Sequence, residues 1–296
     1  MQKIKNHNYL STLRIVLFLL LLMNTKLLCQ LPDILLTSPV FIEHKNGTGT
    51  GFLISDSTNL YFVTARHIFM DPTKKKSNIL SVKEAKLTLY AEDPVTGEKT
   101  VYKINLEAAL SSGLIMASPK EDVLIIKIAE LEGAEGDKVA VKYYKKVVQK
   151  LTKSVFLNFI PISVLEKYED VNVGDEIFLL GYPASIGLKM SPQFDYSRPL
   201  LRRGIIAGKY DPRKSLILDC PTYPGNSGGP VIVKIVKIVK NITITEYKLV
   251  GVVVEFIPYK EQWVNTRSMV VNIDIFNSGY SVAVSASRIL ELLSEK

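Results

Sequence analysis

The chain is poor in the residues that staple or metallate small exported proteins. Among 296 residues there are two cysteines, three histidines and one tryptophan. Cys29 lies at the end of an N-terminal segment expected to be removed, which leaves Cys220 alone in the mature chain and excludes an internal disulfide. The sequence H-E-x-x-H does not occur, and so few histidines and cysteines cannot build a zinc site. No cofactor and no metal are expected. No apolar run reaches the ~20 residues that a membrane helix needs. Basic residues do not alternate with stacking aromatics, so a nucleic-acid partner is not indicated.

What is present begins with Lys3, Lys5 and Arg14 ahead of the nine-residue apolar run Ile15 to Met23. That order is the one a secretory signal has. Residues 1–29 are therefore predicted to be a signal peptide, with export to a bacterial periplasm or to the medium; the alternatives are a lipid anchor at Cys29 or an uncleaved signal anchor. Four cations (Lys3, Lys5, Arg14, Lys26) and no acid leave with it, so the net charge drops from +8 to +4. Export without disulfides suits a bacterial envelope protein better than a disulfide-dense animal one.

Short β-rich runs separated by turn residues fill the remainder: Val40 to Glu43, Gly51 to Ile54, Leu60 to Thr64, Leu87 to Tyr90, Val123 to Ile128, Glu176 to Leu180, Leu216 to Leu218, Val231 to Val233, Tyr247 to Val254, Val270 to Ile275 and Tyr280 to Val284. Many strands at short spacing predict an all-β antiparallel sandwich or pair of barrels. Two helices are expected, one around Val139 to Phe156 and one from Ser287 to Leu293 capped by Ser285 or Ser287. The charged segment from about Glu130 to Val171 reads as the connection between two strand-rich halves. Val231 to Lys240 repeats a unit of three, and is read as a buried strand that runs into an exposed hairpin carrying Lys234, Lys237 and Lys240.

The most specific local pattern is Pro224-Gly225-Asn226-Ser227-Gly228-Gly229-Pro230. A nucleophilic hydroxyl must stand on a tight turn, and backbone N–H groups, here those of Gly225 and Ser227, must aim at the oxyanion that attack creates. Gly, Asn and Ser also make plain surface turns. Such a serine needs a base, and after His7 leaves with the signal two histidines remain. His44 sits in a strand before a turn and reads as ordinary packing. His67 ends the apolar strand Tyr61 to Ala65 and is the candidate base. Asp122, at the mouth of the apolar run Val123 to Ile128, is the candidate carboxylate that orients it.

Taken together these motifs resemble the chymotrypsin/trypsin-like serine proteases. Val63-Thr-Ala-Arg-His67, Asp122-Val-Leu-Ile-Ile and Gly225-Asn-Ser-Gly-Gly-Pro230 are similar to the family's histidine, aspartate and serine motifs, in the family's chain order. Gly49-Thr50-Gly51-Phe52-Leu53-Ile54, Val173 to Pro183, Arg203 to Ala207 and Gly279 to Val284 resemble strands of bacterial high-temperature-requirement type peptidases without a PDZ domain. The resemblance implies two antiparallel Greek-key β-barrels with the triad between them and a short C-terminal helix. It further implies a serine endopeptidase acting on proteins or peptides through an acyl-enzyme; the alternative is a catalytically silent binding or scaffold module. Residues 30–150 would form the first barrel, with His67, Asp122 and the start of the connector, and 151–296 the second, with Ser227. The 66 residues after Pro230 leave no room for an appended peptide-binding domain.

Two departures from the family concern the substrate pocket, expected around Pro221, Thr222, Val254 and Glu255. Where relatives that cut after Lys or Arg place an aspartate, six residues before the nucleophile, Pro221 stands, so an apolar preference is expected unless Glu255 supplies the negative charge. Val254 replaces a serine that in digestive relatives supports the aspartate, so Asp122 needs other support.

Overall fold

The computed structural model describes residues 31–295 except 72, 74–78, 91–98, 136–137, 154–156, 185–189, 194, 196–197, 241 and 266. The expected signal segment, with His7 and Cys29, lies outside them. The strands and the C-terminal helix all belong to one compact unit, residues 33–296.

Alternating or fully apolar β-branched runs pair antiparallel wherever the sequence supplies two of them joined by a turn. The first half contributes β1 (Pro39–His44), β2 (Gly47–Ser55), β3 (Asn59–Thr64), β4 (Glu84–Tyr90), β5 (Lys99–Asn105), β6 (Ile115–Ala117), β7 (Leu124–Glu135), β8 (Lys138–Tyr143), β9 (Val148–Lys150) and β10 (Ile160–Pro161). They make one curled sheet ordered β6-β7-β3-β2-β1-β4-β5-β9, with β8 on β7 and β10 on β2. The second half contributes β11 (Glu176–Gly181), β12 (Leu200–Tyr210), β13 (Ser215–Asp219), β14 (Pro230–Val239), β15 (Ile242–Asn265) and β16 (Val270–Ser285). These close into a barrel in the order β11-β12-β13-β16-β15-β14. Ile177, Leu179, Ile206, Leu216, Val231 and Val250 fill its interior, each at most 1% exposed. The all-β, two-barrel architecture is the one the sequence predicted. The C-terminal helix follows at Ala286–Ser294, where the Ser285 hydroxyl accepts from Ser287 N–H.

The helix expected over Val139 to Phe156 is absent in its described part. Val139, Val141 and Tyr143 alternate with Ala140 and Lys142 and form β8 instead, followed by β9 paired to β5. The Tyr143 hydroxyl meets that of Tyr102 at 2.8 Å, a cross-strand contact that outweighs the helical propensity of the lysines. Because β9 and β10 both pair within the first sheet, the connection is shorter than the sequence suggested and runs from residue 162 to 175. The Val231 to Lys240 stretch follows the expected course: Pro230 to Val233 are buried, and 236–240 are exposed in a hairpin with β15.

Candidate active site

Three chain segments meet between the barrels. The first is the end of β3, where Ala65 leads into a single 3-10 turn, Arg66–Ile68, that presents His67. The second is the tight loop 118–123 before β7. There Ser118 Oγ accepts from the N–H groups of Lys120 and Glu121, and Ser118 N–H donates to Val123 O, so the loop closes on itself and projects Asp122. The two segments are joined by hydrogen bonds. Asp122 Oδ2 lies 2.5 Å from His67 Nδ1, Asp122 Oδ1 accepts from His67 N–H at 2.8 Å, and Asp122 O accepts from Arg66 N–H. The Asp122 carboxylate therefore finds in the His67 backbone N–H the support that Val254 cannot offer.

The third segment is the turn 224–229 entering β14. Gly225 and Gly228 adopt φ of 97° and 88°, a region open to glycine without steric cost. Space confirms the need. A Cβ on Gly225 would run into Tyr182 O, and one on Gly228 into Thr50 O. Asn226 N–H and Gly229 N–H close the turn on Tyr223 O and Asn226 O, and Gly228 N–H donates to Val253 O. Among the described residues the N–H groups of Gly225 and Ser227 donate to no protein acceptor, so both are free to serve a ligand. Ser227 Oγ donates to Val254 O at 3.2 Å, long for a hydroxyl donor.

Ser227, His67, Asp122, Thr222, Val254 and Glu255 all line one cavity of about 800 Å³. Pro221 adjoins Thr222 in the segment that enters the turn and is half-buried. His44 also borders this cavity, but its Nδ1 accepts from Asn46 N–H and its ring meets Phe69 edge-on, which is the packing role expected of it.

Electrostatics favour a protonatable imidazole. Burial on its own would lower His67, but the hydrogen bond it donates to Asp122, the charge of Asp122 and the charge of Glu255 outweigh it and hold the ring above the ordinary 6.5. The Cys220 thiol is pushed up to about 11, chiefly by burial, and so stays protonated and inert at neutral pH.

Two groups that organise the site were not singled out from sequence. Thr50 ties the barrels together. Its N–H donates to Ser227 O, its hydroxyl donates to Gly225 O at 2.6 Å and accepts from Tyr182 N–H, and its carbonyl accepts from Thr64 Oγ1. The one signal in the sequence that could have found it is a threonine between two glycines at the head of an apolar run; the structure buries it fully, and a buried hydroxyl must find partners. The second is Glu121, whose side chain is 4% exposed. It accepts from Ser118 Oγ and pairs at 3.1 Å with Arg288 of the C-terminal helix. Removing Arg288 strands a buried carboxylate one residue from Asp122. Arg288→Met is expected to cost about 3 kcal/mol of unfolding free energy, the low end for breaking a buried pair. Denaturant titration beside wild type checks it, and a change within about 0.5 kcal/mol, typical of a neutral surface substitution, would contradict it.

Residues 49–235 match the family model described as a trypsin-like peptidase domain. Among solved structures, HtrA-type protease AlgW with a tripeptide is 14% identical over 88% of this chain and 60% of its own, with a TM-score of 0.44. The inactive serine-to-alanine form of Rv3671c from M. tuberculosis H37Rv is 16% identical over 89% of each chain, TM-score 0.44. The thermostable serine protease AL20, from an extremophilic microorganism, is 12% identical over 88% of this chain and 96% of its own, TM-score 0.46. The chain spans 60% of the length of the AlgW chains it matches. No curated protein sequence matches it.

Proposed function

The chain belongs to the family of trypsin-like peptidases, and we propose that it is a serine endopeptidase in which Ser227, His67 and Asp122 form the catalytic triad. The observation that carries this reading is the pair of hydrogen bonds from His67 to Asp122. With Nδ1–H held by the carboxylate, the ring presents an unprotonated Nε2 to the cavity that Ser227 also lines. Catalysis requires Ser227 Oγ, which here donates to Val254 O, to exchange that acceptor for Nε2.

In the proposed reaction Oγ attacks the scissile carbonyl as Nε2 takes its proton. The oxyanion is held by Gly225 N–H and Ser227 N–H, which donate to no acceptor among the described residues. Collapse returns the proton to the leaving amine and leaves an acyl group on Ser227. Water activated by the same imidazole then releases it. No metal or organic group is required at any step. The Ser227 bond to Val254 O is the one observation that favours a silent binding module. Labelling by a fluorophosphonate separates the two readings, because the reagent reacts with an activated serine and not with a merely exposed one. On the sequence of residues 1–29 we further propose export from the cytoplasm, which N-terminal sequencing of the protein recovered from the cell envelope tests.

The raised His67 fixes a pH dependence. A base works only when neutral, so activity is lost as pH falls through the imidazole pKa, and a raised pKa places this acid limb above the ordinary ~6.5. Glu255 contributes to the raise, so Glu255→Gln is expected to move the limb to lower pH. Hydrolysis of a peptide ester from about pH 5 to about pH 9 checks both, and a limb that stays in place in the variant removes Glu255 from the electrostatics of the site. The same pair of proteins, profiled on a peptide library, decides specificity. Cleavage after apolar residues in both supports the uncharged pocket, whereas cleavage after Lys or Arg that disappears in Glu255→Gln makes Glu255 the determinant.

A further inference from the structure

Beyond the barrel, β15 and β16 continue as a free two-stranded ribbon. From the pair Pro258 and Asn277 to the pair Asn265 and Val270 the two strands pair with each other and with no third described strand, and at the base Asn277 Nδ2 donates to Thr222 O. Seven steps at ~3.3 Å each give a ribbon about 23 Å long. Every described residue from 262 to 276 is exposed.

Directly paired residues share a face and successive pairs alternate. One face carries Tyr259 with Phe276, Glu261 with Asp274, Trp263 with Asn272, and Asn265 with Val270. The opposite face carries Ile275, Ile273 and the Val264 and Val271 pair. Large apolar side chains thus stand on both faces, with Trp263 61% and Met269 78% exposed. Monomeric proteins rarely leave so much contiguous apolar surface in water.

The order of residues along the ribbon is graded. Val264, Met269, Val270 and Val271 crowd the tip. Trp263, then Tyr259 and Phe276, follow towards the barrel. The acids Glu261 and Asp274 and the cation Lys260 lie in the basal half, and between Gln262 and Ile273 the only charge is Arg267 at the turn. A protein partner or a second copy docks on one face and leaves the other in water. A bilayer interface surrounds both, takes aliphatic side chains deepest and aromatic ones at headgroup level, and offers phosphates to a cation. We propose that the ribbon tip, 262–273, inserts into the interface of a phospholipid bilayer. Among the described residues no helix is long and apolar enough to cross a membrane. Because β15 enters the ribbon from Val254, Glu255 and Phe256, which line the cavity, insertion holds that cavity about a ribbon's length from the lipid surface.

Trp263 is the sole tryptophan, so its emission reports the ribbon itself, whatever the apolar run 15–23 of the full chain does with lipid. The experiment mixes the full chain with vesicles of phosphatidylethanolamine and phosphatidylglycerol. Emission is expected to shift to shorter wavelength and to be quenched by lipids brominated in the acyl chain. The double variant Val264→Asp, Met269→Asp is expected to lose both effects while keeping its circular dichroism and its rate on a soluble ester. Absence of shift and quenching in the wild type overturns the proposal. So does a shift that appears without lipid on raising protein concentration, which assigns the ribbon to a second copy, or one that appears only with a protein substrate, which assigns it to substrate docking. The fluorescence readout needs no catalysis, so it stands or falls apart from the proposed triad.

Discussion

Replacement of Ser227 by alanine is expected to lower turnover by about a millionfold, the scale on which a serine nucleophile is lost, while leaving the fold intact. The hydroxyl's one hydrogen bond, to Val254 O, is long and made by a half-buried side chain, so its removal costs little stability. The turn itself is built from backbone bonds and from Gly225 and Gly228, which the substitution does not touch. Hydrolysis of casein or a peptide ester, measured beside circular dichroism, checks this. A folded Ser227→Ala protein with wild-type turnover would remove Ser227 from the chemistry.

Asp122→Asn is expected to cost about ten-thousandfold in kcat, for a different reason. The carboxylate now accepts both from His67 N–H and from Nδ1–H. An amide can keep one of these roles with its oxygen but turns an N–H₂ towards the other. With Nδ1 made an acceptor, the ring carries its proton on Nε2 and cannot take one from Ser227. The KM should change far less than kcat, because Asp122 is expected to act on the reaction through His67 and the amide is close in size to the carboxylate. The acid limb should also fall, since the hydrogen bond and charge of Asp122 are what raise His67 against the effect of burial. A loss confined to KM would mean that Asp122 shapes the cleft and does not orient the base.

How much of this was legible in the sequence depends on whether the cause is local. Strands β1 to β3, β7, β11 and β13 are runs of buried apolar or β-branched residues, and their period declares them. The turn at Ser227 declares itself through glycines that steric need places there. His67 and Asp122 stood out because few histidines compete and because an acid heads an apolar strand. The misread segment, 139–156, mixes lysine with valine, and its β identity comes from Tyr102 and from β7, which sit elsewhere in the chain. Strands β15 and β16 were read short for a related reason. With both faces of the ribbon apolar, no polar-apolar alternation marks them as strand. The contacts that lock the site, Thr50 to Gly225 across 175 residues and Glu121 to Arg288 across the two barrels, are invisible locally, since nothing in either neighbourhood names its partner.

Activation of Ser227 by His67 can be read in one measurement, titration of the protein with a fluorophosphonate. One covalent adduct per chain is expected, located on Ser227 by peptide mass analysis. It should be absent in Ser227→Ala and His67→Ala and should form more slowly as pH falls through the raised His67 pKa. A folded wild-type protein that takes up no label, or one labelled on Ser227 equally fast with His67 replaced, would contradict it.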